Sequence, residues 1–507
     1  MDSDAPLSAY LKKATEEYSL CPNRVWAVAG SLLPMLIPTN NPNRPCNHGD
    51  ELPNHEICTF EFCEYSQRDF TAINQRHECR DKKCDRLQGL FSRQVLEQAA
   101  RANELTVWRL DGRSMISRLR PYMAVSHVWS DGTGAGKWLD GEVNECLYNF
   151  FRQIAVQFQC DGIWWDTLCI PQEKAARTKA IKKIQSNYEN ARITLVHDCF
   201  LRNWTWDPET ACFAILMSPW FSRGWTALEL QRSRKVKVVF KGSCGLVIKD
   251  LDEEILVEEG DGPRREASDK IRSLRKEITT LNDLLTVIKP RYTSWPKDVS
   301  IISGLLTDVE LSSDAQKEIW QQDVYKRIVK KIGKVSFDHL FHNSATMSKV
   351  GWCPPSIYDM PVADNNAKTL LKVTPELHLD GTLRRIPLDA VHDDRYNWRG
   401  VHPLIREHLK LYLRKEKGAC FLLIEPLSES NPKGVERAIL GKQRESQIDG
   451  KPCYEFVGAV YFQPGLEIGD LVKRGDLDPN RVPLILLGDA NGSMAETGEQ
   501  VQPQSHS

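Results

Sequence analysis

Between Tyr122 and Gly242, short apolar runs alternate with stretches of helical spacing. Tyr122-Met-Ala-Val-Ser-His-Val-Trp129 is apolar on both faces and leads into Asp131, Gly132 and Gly134, as a buried parallel strand entering a loop should. Val143, Leu147, Phe150, Phe151, Ile154 and Phe158 then recur at helical intervals, and Asp161-Gly162 closes that helix. Ile163 to Ile170 reads as a second buried strand, with Pro171 opening the path to a helix whose inward positions are Ala176, Ala180, Ile181, Ile184 and Tyr188. Ile193 to Val196 is the expected third strand, Ala211 to Arg232 a helical region interrupted at Pro219, and Lys235 to Phe240 the fourth strand. Such alternation predicts an open parallel α/β sheet covered by helices on both faces, with ligands at the carboxyl ends of its strands. Ser126, His127, Trp129 and Asp166 fall at or near two such ends.

The texture elsewhere divides the chain further. Residues 1–120 are rich in Cys, His, Asn and Pro before turning helical around Leu87 to Asn103. The α/β region takes residues 121–243, and the acidic stretch Asp250 to Arg265 reads as a loop leading into helices, so 244–350 is expected to be a helical region. Residues 351–490 carry β-prone runs such as Cys420 to Ile424, Tyr454 to Phe462 and Val482 to Leu487, which predict a small β-rich module. The tail, 491–507, has the composition of a disordered segment.

Length and composition agree with several ordinary cores. The 507 residues exceed what one core of about 250–300 residues holds. With 67 Lys and Arg against 68 Asp and Glu, no overall field favours nucleic acid or anionic membrane. The N-terminal residues lack a secretory pattern, and Val25 to Pro38, the longest apolar candidate, is too short to span a bilayer and contains Pro34. The expectation is a soluble protein of the cytosol or nucleus whose 15 cysteines are reduced thiols or metal ligands.

Three blocks, in order, carry a family likeness: Tyr122-Met-Ala-Val-Ser-His-Val-Trp129, Trp164-Trp-Asp-Thr-Leu-Cys-Ile-Pro-Gln172 and Trp220-Phe-Ser-Arg-Gly-Trp-Thr-Ala-Leu-Glu229. Together they resemble the heterokaryon-incompatibility (HET) family of fungi, although the family usually has Asp or Asn at Pro171 and Gly at Ser130. The resemblance implies a role in programmed cell death after fusion of incompatible cells, with self-association or protein partners acting through the HET domain. HET domains also look distantly like TIR domains, which implies a TIR-like, flavodoxin-like open sheet. Trp225-Thr-Ala-Leu-Glu229-Leu230 fits the TIR pattern of Trp, three residues, then Glu-Leu, with Ser222 shortly upstream.

In catalytic TIR domains that glutamate cleaves the nicotinamide-ribose bond of NAD, so the resemblance implies NAD as substrate and Glu229 as the catalytic carboxylate of an NAD nucleosidase. One carboxylate suffices chemically, because the nicotinamide ring of NAD is already cationic, departs neutral with the bonding electron pair and needs no proton donor. Glu229 would stabilise the oxocarbenium-like ribose or hold its hydroxyls. Trp225, one helical turn before it, would wall the pocket, while Ser126, Trp129 and Asp166 complete the substrate-binding set. Bland readings stand beside these. Trp164, Trp165, Trp220 and Trp225 read first as core, and Asp166 equally as a cap of the following turn. Glu229 could belong to a noncatalytic signalling or self-assembly module. Asp131-Gly-Thr-Gly-Ala-Gly-Lys137 is superficially similar to a phosphate loop but lacks its spacing, since Trp138 follows Lys137.

Cys46, His48, His55, Cys58, Cys63, His77, Cys79 and Cys84 crowd a segment without a continuous apolar pattern. Such a segment gains folding energy from metal, and zinc suits these ligands. Thiolate affinity favours Cys58, Cys63, Cys79 and Cys84 as one tetrahedral set, with His55 and His77 as alternatives; the competing reading is reduced thiols with surface histidines.

Overall fold

In the computed structural model the apolar runs of the central region pair into one six-stranded sheet. Its strands are β1 (Trp108–Arg109), β2 (Tyr122–His127), β3 (Gly162–Trp165), β4 (Ile193–His197), β5 (Val236–Gly242) and β6 (Gly245–Asp250), in the order β1-β3-β2-β4-β5-β6. The inner four are parallel, and the two edge strands run antiparallel to their neighbours. The structure describes residues 20–29, 55, 58–59, 63, 73–79, 81–134, 142–257, 262–311, 318–342, 351–363, 369–391, 395–399, 401, 403–415, 419–425, 437–463 and 481–487. Cys46, His48, the loop residues Lys137 and Trp138 and the tail 491–507 lie outside these.

The helices used below are α1 (Pro22–Ala29), α2 (Glu145–Gln157), α3 (Asp166–Cys169), α4 (Lys174–Lys182), α5 (Ile184–Glu189), α6 (Cys199–Asn203), α7 (Ala211–Met217), α8 (Gly224–Arg232), α9 (Pro263–Ser273), α10 (Pro296–Leu306) and α11 (Pro403–Lys415). Helix α2 buries Leu147, Tyr148, Phe151, Ile154 and Ala155, one stripe at helical spacing. Burying Phe151 or Leu147 contributes roughly 1.5–3 kcal/mol each. Adjacent residues of β3 point to opposite faces, so Trp165 packs on Phe151 of α2 (ring centroids 5.1 Å apart) while Trp164 packs on Tyr188 of α5, also at 5.1 Å. The sheet is therefore covered on both sides. Trp164, Trp165 and Trp220 are fully buried core residues, whereas Trp225 is half-buried.

Two expected elements need correction. The strand expected to run to Ile170 stops at Trp165, because residues 166–169 turn into the short helix α3, whose Leu168 and Cys169 stay buried and so keep the run apolar. The single helix expected through Tyr188 is two, α4 and α5, meeting at Lys183. The sheet also continues past residue 243 into β6 through a tight hairpin.

Contacts divide the chain into two units, Met1–Ile278 with Val287–Ala315, and Thr279–Thr286 with Gln316–Ser507. In the first, α9 packs on α7 and α10 on α8. The second holds β7 (Lys334–Ser336), β8 (Leu370–Val373), β9 (Leu379–Pro387), β10 (Cys420–Ile424), β11 (Arg437–Ile448), β12 (Lys451–Tyr461) and β13 (Arg481–Leu487). Because β10 pairs with both β11 and β9, strands β9 to β13 close into a barrel, and β8 and β7 extend it. Leu409 and Leu413 of α11 pack with Leu422, Leu440 and Val460 in its core. No described helix is long and apolar enough to cross a membrane.

Candidate functional site

The chain reverses its direction of sheet growth at β2, since β3 adds on one side and β4 on the other. The crevice beyond the carboxyl ends of β2 and β4 is thus a topological switch point, where parallel sheets bind ligands. Ser126 and His127 end β2, and His127 is the register partner of His197 on β4.

Ser126 faces the side covered by α5 and α8. Its hydroxyl donates to the Glu229 carboxylate on α8 and accepts from the Trp220 indole N–H at 2.7 Å. Tyr188 places its hydroxyl against the same carboxylate and 3.2 Å from the Val125 carbonyl. Burial pushes Glu229 up to about 7, and the charge of Asp166 adds to that, although the bonds from Ser126 and Tyr188 pull the other way. Near neutral pH both of its protonation states are therefore populated.

His127 faces the opposite side. Its Nε2 lies 2.7 Å from Asp166 Oδ1 and 3.0 Å from the Trp165 indole nitrogen. One ring nitrogen cannot donate to the carboxylate and accept from the indole together; the shorter, charge-assisted contact prevails. Burial opposes the charged imidazole, but Asp166, with Asp131 beyond it, carries its pKa up to about 9. Asp166 is itself held below its ordinary value: burial raises it, and His127, the Trp129 indole (2.8 Å) and the Thr167 backbone N–H (2.6 Å) outweigh that.

Across the register, His197 has the opposite character. Burial, then the charges of Arg202 and Arg76, push it well below the usual range. Its Nε2 accepts from Arg202 at 2.9 Å, and its Nδ1 meets Thr133 Oγ1 at 3.0 Å. Arg202 also grips Glu78 through both terminal guanidinium nitrogens. Asp198 caps α6 and accepts from the Trp220 backbone N–H at 3.0 Å; burial, then the charge of Asp131, push it up to about 7. Two paired strand ends therefore present one cationic and one neutral imidazole.

Of the expected substrate-binding set, Ser126 meets Glu229 directly, while Asp166 sits beside them, bonded to His127 and Trp129 and close enough for its charge to act on Glu229. Trp129 stacks near His127, with centroids 6.5 Å apart. Trp225 instead donates its indole N–H to Asp298 of α10 at 2.9 Å. Tyr188, His197, Asp198 and Arg202 were not anticipated here; the signal available was their position at or packed against strand ends.

Residues 122–198 match the family model described as Heterokaryon incompatibility protein (HET). The chain is a HET-domain protein. The match covers the blocks at Tyr122 and Trp164, and the block Trp220 to Glu229 lies beyond it. Comparisons with curated proteins and with solved structures give no match.

Described Cys and His residues of the N-terminal segment, together with Cys146 of α2, form two groups in which ligand atoms lie within 4.8 Å of one another: Cys21, His55, Cys58 and Cys63, and His77, Cys79, Cys84 and Cys146. Either could hold a metal ion. The expected single set is corrected, because Cys58 and Cys63 belong to one group and Cys79 and Cys84 to the other. Each group includes a histidine and is closed by a cysteine from outside the dense stretch. None of the described cysteines is in a disulfide.

Proposed function

We propose that this protein acts in the death response that follows fusion of incompatible fungal cells, and that its HET domain does so by cleaving the nicotinamide-ribose bond of NAD. The observation that carries this reading is the Glu229 carboxylate held by Ser126 at the carboxyl end of β2, beside the switch point. The parallel strands, taken in chain order, lie second-first-third-fourth, the flavodoxin-like order that TIR-like domains share. Glu229 sits on the helix between the third and fourth of them, where the TIR pattern puts its glutamate.

In this reading the ionised carboxylate faces the ribose as positive charge develops at the anomeric carbon, and the cationic nicotinamide ring favours that ionised form. Ser126 orients the carboxylate, and the charged His127–Asp166 pair fixes the neighbouring strand end. Self-association of HET domains completes the pocket. We also assign zinc to the Cys/His groups, since mixed thiolate and imidazole ligands suit its closed tetrahedral sites.

The test compares wild type with Glu229→Gln in forced oligomers and in expressing cells. Nicotinamide release should disappear in the variant while the fold persists. Gln nearly conserves volume, and a carboxyl raised to about 7 opposes folding once ionised, so the variant should not be less stable at neutral pH. Equal killing by both proteins at constant NAD would replace the enzyme with a noncatalytic assembly module.

A further inference from the structure

Building on the assignment of zinc to the Cys/His groups, and resting on it, we propose that this chain binds two separate zinc ions, each through three thiolates and one imidazole. The second ion clasps the N-terminal segment onto the HET domain through Cys146 of α2.

Geometry separates the groups. In a tetrahedral site with Zn–S of about 2.3 Å and Zn–N of about 2.0 Å, a ligand nitrogen and a ligand sulfur stand about 3.5 Å apart. His77 Nδ1 lies 3.3 Å from Cys84 Sγ, 3.7 Å from Cys146 Sγ and 3.8 Å from Cys79 Sγ. His55 Nδ1 lies 3.4 Å from Cys58 Sγ. A neutral imidazole nitrogen has one lone pair, so three thiols converging on His77 cannot all be its hydrogen-bond donors. One ion among the four atoms satisfies every contact. The groups share no ligand.

The surroundings are those of bound thiolates. The Glu78 backbone N–H donates to Cys146 Sγ at 2.9 Å, and the N–H groups of Cys84 and Lys83 point at the Cys79 sulfur. In the first group Cys21, Cys58 and Cys63 are buried, and the Arg24 guanidinium reaches to 4.0 Å from Cys63 Sγ, a cation placed to balance thiolate charge.

Cys146 gives the second site its larger role. Residues 75–78, which carry the ligand His77, run as a strap over the carboxyl edge of the sheet. Gln75 takes the Asn144 backbone N–H at 2.6 Å, the Arg76 N–H donates to the Gly132 carbonyl at 2.7 Å, and Glu78 grips Arg202. Gly132 has φ +81°, and a Cβ there would sit 2.7 Å from the Asn74 carbonyl oxygen, so the strap lies directly on the turn that follows β2. Zinc fixes the strap at its end, and the strap fixes the turn and the Arg202–His197 contact at the candidate site.

Full-length protein purified without chelator should carry two zinc ions per chain by elemental analysis, and its zinc X-ray absorption should fit three sulfurs and one nitrogen. Cys63→Ser and Cys146→Ser should each halve the zinc content. Hydrogen exchange in residues 73–79 and 131–134 should accelerate in Cys146→Ser and stay unchanged in Cys63→Ser. Zinc-free wild type overturns the zinc reading itself. One ion per chain, an average shell of four sulfurs, or full zinc retention by Cys146→Ser overturns the two-site clasp while leaving zinc in place. The absorption measurement needs no variant, so misfolding of either substitution does not shield the inference.

Discussion

Nε2 of His127 and Oδ1 of Asp166 lie 2.7 Å apart, joining the carboxyl ends of β2 and β3 by a charged pair whose imidazole is almost wholly buried. The pair's worth depends on pH from both sides. The His127 pKa is raised, so its contribution is complete below the ordinary 6.5 and is lost as pH climbs through about 9. The Asp166 pKa is lowered, so its contribution is complete above 3.8 and is lost as pH falls through the lower folded value. Both are fully present between 3.8 and 6.5. Asp166→Asn strands an imidazolium in the interior, a loss of about 3–5 kcal/mol for a fully buried pair. The Asp166 side chain keeps 22% exposure, which brings the expectation to about 2–3 kcal/mol. Urea unfolding of the full chain should show the deficit at pH 6 and its contraction at pH 9; a deficit that grows from pH 6 to 9 would contradict the charge assignment.

The close approach of the edge strand makes a sharper packing prediction. Gly162 opens β3 opposite Arg109 of β1, and a Cβ on it would stand 2.6 Å from the Trp108 carbonyl oxygen and 2.9 Å from Ile116 Cγ2. Backbone cannot yield as a flexible side-chain tip can, so Gly162→Ala should push β1 outward and destabilise the protein by about 1–3 kcal/mol. The Trp108 indole, which donates to the Leu168 carbonyl at 2.8 Å, would move with its strand. Unchanged unfolding and unchanged exchange at residues 107–109 would show that the edge is looser than these contacts state.

These two sites also mark what the amino-acid pattern could and could not reveal. Parallel strands announce themselves because both faces are buried, which made β2, β4 and β5 legible, and the rule that ligands gather at strand ends singled out Ser126 and Asp166, whereas Glu229, on a helix, was singled out only by the TIR resemblance. Register between strands leaves no trace within a single strand, so the pairing of His127 with His197 and their opposite protonation could not be read. Cys146 was hidden for a related reason: within an amphipathic helix it looks like an ordinary half-buried residue, and only the fold brings it to His77. The overlong second strand came from a buried one-turn helix, whose apolar run is indistinguishable from a strand by periodicity. Barrel closure through β9 and β10 depends on three-dimensional stagger that no local pattern encodes.

The proposed chemistry carries its own pH signature. If the ionised carboxylate of Glu229 stabilises the ribosyl cation, nicotinamide release should rise with pH through about 7, the value to which burial and Asp166 lift it. Ser126 donates a hydrogen bond to that carboxylate and so favours its charged form. Ser126→Ala removes the donor, raises the Glu229 pKa and should move the half-maximal pH upward by up to about one unit, since a single hydrogen bond to a charged group is worth about 1.5–3 kcal/mol and water replaces part of it. The variant should also regain much of the wild-type rate at high pH, because the carboxylate is then ionised in both proteins. Measuring initial rates of assembled protein from pH 5.5 to 9 separates this from simple misfolding, which lowers the rate without shifting the profile. A profile that falls through pH 7 would mean that Glu229 works in its protonated form, donating rather than stabilising charge, and one that Ser126→Ala moves toward acid would mean that Ser126 does not favour the ionised carboxylate.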